Sequence, residues 1–376
     1  MFDILLLFAI FISLLTGQFA RIELISSLAN VYVHEFFLLI FIGSSVVQWG
    51  LAPLKNIFKS KSILIFSLLV IFSFVLSFSE FTPLQNGIAL LYLARIVLHC
   101  IFGIYVFTLI KRKKYIKSYL NKILFFFSIF LLIVTAIQYI FFPNFWWAYK
   151  LGWDPHVFRA LGIYFDVFIA AALYGLFALY WFLKNKKVLS FLFVVALVLS
   201  FSRSAYIAFI MSIFYYFITQ KKWKELIAVV CLFGSLIILA PKPQGEGVNL
   251  FRTASINARI QDYKRGIVLW QKKPLFGFGY NRIRFAKEQS SLISADDRSH
   301  SLSSYHSSFL IILVTTGIIG LAGTIFLIVQ LFAKYPRIRI YLLYVLTMSL
   351  FDNVLLHALV ILPFIFIVTS SYSSLE

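Results

Sequence analysis

The chain has 376 residues, 61% of them hydrophobic and 13% charged, with a mean hydropathy of +0.93. Soluble domains carry roughly 45–50% apolar and about 25% charged residues, so a soluble enzyme and a disordered chain are both excluded. Two cysteines, Cys100 and Cys231, leave no disulfide framework and no cysteine metal site, and the formal charge of +20 must first be placed by topology.

A spanning helix needs about 20 apolar residues. Apolar runs near 2–20, 31–50, 62–80, 84–110, 120–142, 160–183, 188–201, 204–219, 225–240, 307–333, 340–354 and 356–373 predict twelve spans. The fold class expected is an all-α polytopic membrane protein, one transmembrane domain over 1–376 with a large, partly helical outer loop at about 241–306. The first run lacks a basic start and a small-residue cleavage site, so it reads as a span rather than a signal peptide.

With the N-terminus cytoplasmic, the inner loops 53–61, 111–122, 184–187, 220–224 and 334–339 hold 18 Lys and Arg. The short outer loops hold Arg21, Lys150, Arg159 and Arg203. That asymmetry follows the positive-inside rule, so the basic clusters act mainly as topology anchors, and both termini are placed in the cytoplasm. Residues 188–219 are short for two spans, yet a single helix would invert every later loop. Two short spans with a turn at Ser202-Arg203-Ser204 are expected. Arg203 then lies below the outer membrane surface, where an ionisable group is a candidate for function.

The 241–306 loop carries eleven Lys and Arg against five acids. This outward excess runs against the topology trend and points to an anionic ligand such as a phosphate, a diphosphate or an acidic sugar. Ile256, Ile260, Tyr263, Ile267 and Trp270 recur at helical spacing, which predicts an amphipathic helix lying on the membrane or over the spans, ended by Pro274. On it Asp262 has Arg259 and Arg265 as partners at three-residue spacing. The loop ends in Ser299-His300-Ser301-Leu302-Ser303-Ser304-Tyr305-His306-Ser307-Ser308. There hydroxyls and aromatics suit sugar recognition, and histidine suits proton transfer near neutral pH. Arg95 with His99, His34 with Glu35, and Asp166 fall inside the spans and read as buried polar groups rather than parts of a site.

His306-Ser307, nine residues, then Gly317-Ile318-Ile319-Gly320 resembles the signature of bacterial O-antigen ligases. Ser202-Arg203-Ser204-Ala205-Tyr206-Ile207 looks like that family's Arg-x3-Leu element, with Ile207 where leucine is usual. The stretch Arg259 to Gly279 is similar to its outer loop, and Arg159-Ala160-Leu161-Gly162-Ile163-Tyr164 to its earlier Arg–Gly element. The resemblance covers about 159–320.

The resemblance implies a GT-C-like, metal-independent glycosyltransferase of the bacterial inner membrane, working on the periplasmic or outer face without a cofactor. Its partners would be a glycan on undecaprenyl diphosphate, a glycan or lipid acceptor such as lipid A–core, and membrane lipids, with no nucleic acid. His306, Arg203 and Arg259 would be catalytic; Arg265, Arg159, His300 and Tyr305 would bind substrate. Guanidinium groups suit a diphosphate leaving group. The chain has only 14 acids, and the first outer loop offers Glu23 alone, which favours a metal-free route. An O-antigen or capsular polysaccharide polymerase shares the fold and most of these motifs and is the alternative. A flippase or secondary transporter is less favoured, because the short pair at 188–219 has no counterpart in the first half.

Overall fold

The computed structural model of the chain describes residues 2–25, 28–58, 60–149, 156–243, 245–293 and 304–372. Helices hold 77% of the chain, and sheet among the described residues is limited to one hairpin. Each of the twelve apolar windows contains one helix. Among the described residues, four helices are long and apolar enough to cross a membrane, and six shorter apolar helices accompany them.

The first compact unit comprises residues 1–10, 20–116 and 254–336. It contains the start of α1 (Phe2–Leu15), the antiparallel pair β1 (Arg21–Ile25) and β2 (Ala29–Tyr32), α2 (Val33–Trp49), α3 (Ala52–Phe58), α4 (Lys61–Leu76) and α5 (Pro83–Arg112). Pro83 opens α5, where a missing N–H costs nothing, and Thr82 and Gln85 form a reciprocal capping box. After the second unit's residues the chain returns with α12 (Ala254–Gln271), α13 (Ile283–Gln289) and α14 (Ser308–Lys334). The N-cap of α14 is Ser307, whose hydroxyl accepts from the Leu310 N–H.

α14 is broken at Gly317, where φ is +68° and ψ −171°. The break receives the segment 274–279. Ile318 N–H donates to the Pro274 carbonyl (2.9 Å), Phe278 N–H to Val314 (3.1 Å) and Gly279 N–H to Thr315 (2.8 Å). From α4, Ser73 donates to the carbonyls of Phe276 (2.5 Å) and Thr315 (2.8 Å). A Cβ on Gly317 would sit 2.1 Å from the Leu275 oxygen, and one on Gly277 2.5 Å from the Val314 oxygen. Two sequence motifs are therefore one structural joint, and glycine is required on both sides of it by backbone conformation and by clearance.

The second unit comprises residues 11–19, 117–253 and 337–376. It takes nearly all of α6 (Lys114–Phe141), then α7 (Trp146–Tyr149), α8 (Val167–Leu183), α9 (Lys187–Leu199), α10 (Arg203–Thr219), α11 (Trp223–Leu239), α15 (Arg339–Ser349) and α16 (Ala358–Tyr372). α8 is buried on nearly all its faces, as a helix at the centre of its unit must be. Tyr344 packs against Gly175 and donates to the Ala171 carbonyl at 2.7 Å. α8 starts at Val167 rather than near 160, because Asp166 caps it by accepting from the Phe168 N–H; Asp166 is a cap and not an in-span polar group. Residues 188–219 form two helices, α9 and α10, separated by Ser200–Ser202 with Phe201 at φ +50°, and Arg203 begins α10.

Candidate functional site

Each unit holds polar residues that the motifs point to. In the first unit, Asp262, Gly266 and Leu269 share one face of α12 at i, i+4 and i+7. Gly266 and Leu269 are buried, Gly266 against Leu310 of α14. That packing turns Asp262 toward the residues just ahead of α14. His306 there donates its backbone N–H (3.0 Å) and its ring Nδ1–H (2.7 Å) to Asp262 Oδ2. Desolvation raises the Asp262 pKa, but the His306 hydrogen bonds and the His306 and Lys287 charges outweigh it and hold the carboxyl below its usual value. An ionised carboxylate only accepts, so Nδ1 carries the proton, and in the neutral imidazole Nε2 is the basic nitrogen. The His306 side chain is 47% exposed.

The apolar stripe of α12, expected to lie on the membrane or over the spans, is not packed against its own unit at its isoleucines. Ile256, Ile260 and Ile267 are all more than 40% exposed. A long apolar face in a chain of this kind turns outward as readily as inward, and the glycine-containing face, which permits closer approach, takes the protein contact. Asp262 is engaged by His306 rather than by the arginines its spacing offered.

Lys287 of α13 supports the same stretch. Only 4% exposed, it donates from Nζ to the Ser304 carbonyl at 2.8 Å and stands 4.0 Å from the centre of the Tyr305 ring. Burial pulls its pKa down to about 8, with Asp262 opposing and Arg265 adding to the fall. Tyr305 is 3% exposed, so its ring supports Lys287 instead of presenting a face to sugar. Arg259 is half-buried one turn before Asp262, and Arg265 is exposed one turn after it. His300 lies outside the described residues.

Part of the loop's positive charge is structural. Lys273 pairs with Glu80, and Arg284 with Glu288 at 3.0 Å. Arg282 is fully buried between the rings of Phe74 and Phe81 and donates to Asn86 Oδ1 at 2.6 Å and to the Phe74 carbonyl at 2.9 Å. It anchors the loop to the unit's own helices.

In the second unit three arginines gather at the α9–α10 turn. Arg159, 7% exposed, donates from Nε to the Ser200 carbonyl (2.8 Å) and from Nη2 to that of Phe201 (3.0 Å). Arg252 reaches the same Phe201 carbonyl at 3.4 Å and those of Gly247 (2.9 Å) and Asn249 (3.0 Å). Arg203 donates to the carbonyls of Leu250 and Arg252, both at 3.1 Å. Gln138 fixes the segment that carries Arg159 by donating to its carbonyl and accepting from the N–H groups of Leu161 and Gly162. Burial, then the Arg252 charge, lower Arg159 to about 9, so it remains a cation at neutral pH. Desolvation and the Arg159 and Arg252 charges hold His156 near 3, hence neutral. Guanidinium groups brought together on carbonyls keep their positive charge unneutralised by those partners, which is what an anion site requires. Arg252, His156, Asp262 and Lys287 were not singled out as site residues in the sequence. Arg252 and Lys287 are held by backbone carbonyls, which carry no residue signature.

Among the described residues one group could hold a metal: His34, Glu35 and His99, whose ligand atoms lie within 4.8 Å of one another. Arg95 pairs with Glu35 and donates to the Asn30 carbonyl, while His99 Nδ1 donates to the Arg95 carbonyl at 2.8 Å. The guanidinium supplies the counter-charge to Glu35, and the four residues make a buried polar cluster next to the β1–β2 hairpin.

Residues 188–325 match the O-antigen ligase family. The matched segment runs from α9 into α14 and contains Arg203, Arg252, Arg259, Asp262, Arg265, His306 and Gly317; Arg159 lies ahead of it. No curated protein matches the chain. With its apolar helices, the O-antigen ligase segment marks a membrane protein and suggests glycan transfer at the membrane.

Proposed function

We propose that this protein is a metal-independent, GT-C-type glycosyltransferase that transfers a glycan from undecaprenyl diphosphate to an acceptor hydroxyl, such as one on lipid A–core. It would span the bacterial inner membrane twelve times, with both termini cytoplasmic and the chemistry on the outer face. The observation that carries this reading is the His306–Asp262 pair within the O-antigen ligase segment.

In the reaction, His306 Nε2 takes the acceptor's hydroxyl proton, and Asp262 balances the imidazolium that forms. The freed oxygen attacks the anomeric carbon. The bond from that carbon to the diphosphate breaks, and its electron pair leaves with the phosphate oxygen. Arg203, with Arg159 and Arg252 grouped at the same turn, is assigned to the diphosphate, whose growing charge suits planar cationic donors. Arg259 and Arg265 are assigned to donor contacts.

The deciding experiment is a surface-glycan gel from a strain lacking the gene, with lipid-linked glycans extracted in parallel. Long chains accumulating on the carrier lipid and missing from the surface acceptor would establish a ligase. Single repeats where long chains belong would make it a polymerase. Normal glycans in both fractions would overturn glycan transfer.

A further inference from the structure

A groove of about 520 Å³ lies in the second unit between α6 and the start of α9. Phe125 and Ile129 of α6 and Leu189 and Leu192 of α9 line it, together with Lys186 and Lys187. Lys122 shares the α6 face of Phe125 and Ile129, at i, i+3 and i+7. Lys117 lies within electrostatic reach of Lys184 and Arg337. The whole neighbourhood is cationic: residues 81–153 and 167–224 contain no Asp or Glu. α9 begins at this groove with no side-chain cap, so its first N–H groups add to the positive potential.

An apolar groove lined in part by lysines is complementary to one kind of molecule, a phospholipid with an anionic headgroup. We infer that this groove is a binding site for an anionic phospholipid, with an acyl chain along Phe125, Ile129 and Leu192 and the headgroup phosphate on Lys186 and Lys187. Phe125 and Leu192 are each more than 40% exposed, as side chains that face a lipid tail would be. Basic clusters at a membrane boundary in general attract anionic lipid; the groove adds a seat for one chain and so a fixed position for one molecule. The site owes nothing to the glycan-transfer reading and stands or falls separately from it.

The purified full chain, mixed with equimolar phosphatidylglycerol and phosphatidylcholine, is measured by mass spectrometry under conditions that retain bound lipid. The wild type is expected to retain phosphatidylglycerol in preference, and millimolar inorganic phosphate is expected not to displace it. Lys186→Gln with Lys187→Gln lowers that preference about fivefold per lysine, and Leu192→Trp, which fills the groove, removes bound lipid of either kind. Equal retention of the two lipids by the wild type overturns the proposal, as does an unchanged preference in the double variant. Displacement by free phosphate, or full binding in Leu192→Trp, overturns the groove as the seat of the acyl chain. All three substitutions fall on the groove's lining, so circular dichroism matching the wild type is expected to accompany each result.

Discussion

His306 and Asp262 illustrate how a single pair of side chains acquires a chemical direction. Two hydrogen bonds from one residue to one carboxylate oxygen fix the ring and settle which nitrogen is basic. His306→Ala and Asp262→Asn are each expected to lower the transfer rate by about 10²–10⁴, the usual size of general acid–base assistance, with membrane yield unchanged; turnover assays on purified protein check both. Arg203→Lys keeps the charge and loses the planar fork, and its rate is expected to fall about 10²-fold or more; wild-type turnover would remove Arg203 from the donor site.

Lys287 supplies a pH dependence. Its pKa of about 8 lies below the ordinary lysine value, so it is charged in neutral solution and loses that charge as pH rises through about 8. Its attraction to Asp262 and its contact with Tyr305 weaken in the same range. The native state sheds this proton before the unfolded chain does, so the group itself does not destabilise the fold above pH 8; a falling rate there reports the site. The transfer rate is expected to decline on the alkaline side, and Lys287→Arg, which stays charged, is expected to flatten that limb. The Asp262 carboxyl, held below its usual value, keeps its pairing with His306 until the pH falls beneath the normal carboxylate range.

At the level of elements, the joint between 274–279 and α14 has the most exacting geometry. Gly317→Ala must accept a positive φ and a Cβ 2.1 Å from a backbone oxygen, and is expected to reduce thermal stability by more than about 1 kcal/mol. Gly43, inside α2 with open space around it, serves as the contrast. Gly43→Ala is expected to leave stability equal or raise it by about 0.5–1 kcal/mol. Thermal melts of the two purified variants compare them directly. The amphipathic helix at 256–270 was legible from its period, as was the break near Ser202. Which face of α12 would be buried was not legible, because in an apolar environment hydrophobicity no longer separates inside from outside. The small residue did so, by allowing the closer approach.

For the molecule as a whole, the charge asymmetry predicts the membrane orientation. In a variant whose Cys100 and Cys231 are serine, a cysteine placed at Asn185 should resist a membrane-impermeant maleimide added to intact cells. One placed at Pro243 should react. The reverse pattern would overturn a cytoplasmic N-terminus and the outward placement of His306 with it.

The sequence alone determined the membrane class and the helix windows, because each is written in local composition. The likeness to O-antigen ligases over 188–325 was visible in short motifs that contain Arg203 and His306. The partnership of Asp262 with His306, the grouping of Arg252 with Arg159 at the Phe201 carbonyl, and the burial of Arg282 between two rings were decided by tertiary structure. Asp262 and His306 are 44 residues apart, and Arg159 and the Ser200 carbonyl 41. A charge count over a loop treats every arginine alike. Only the packing tells which one is spent on Phe74 and Asn86 and which gather at the α9–α10 turn, because hydrogen bonds to backbone carbonyls and rings form wherever the fold brings them within reach.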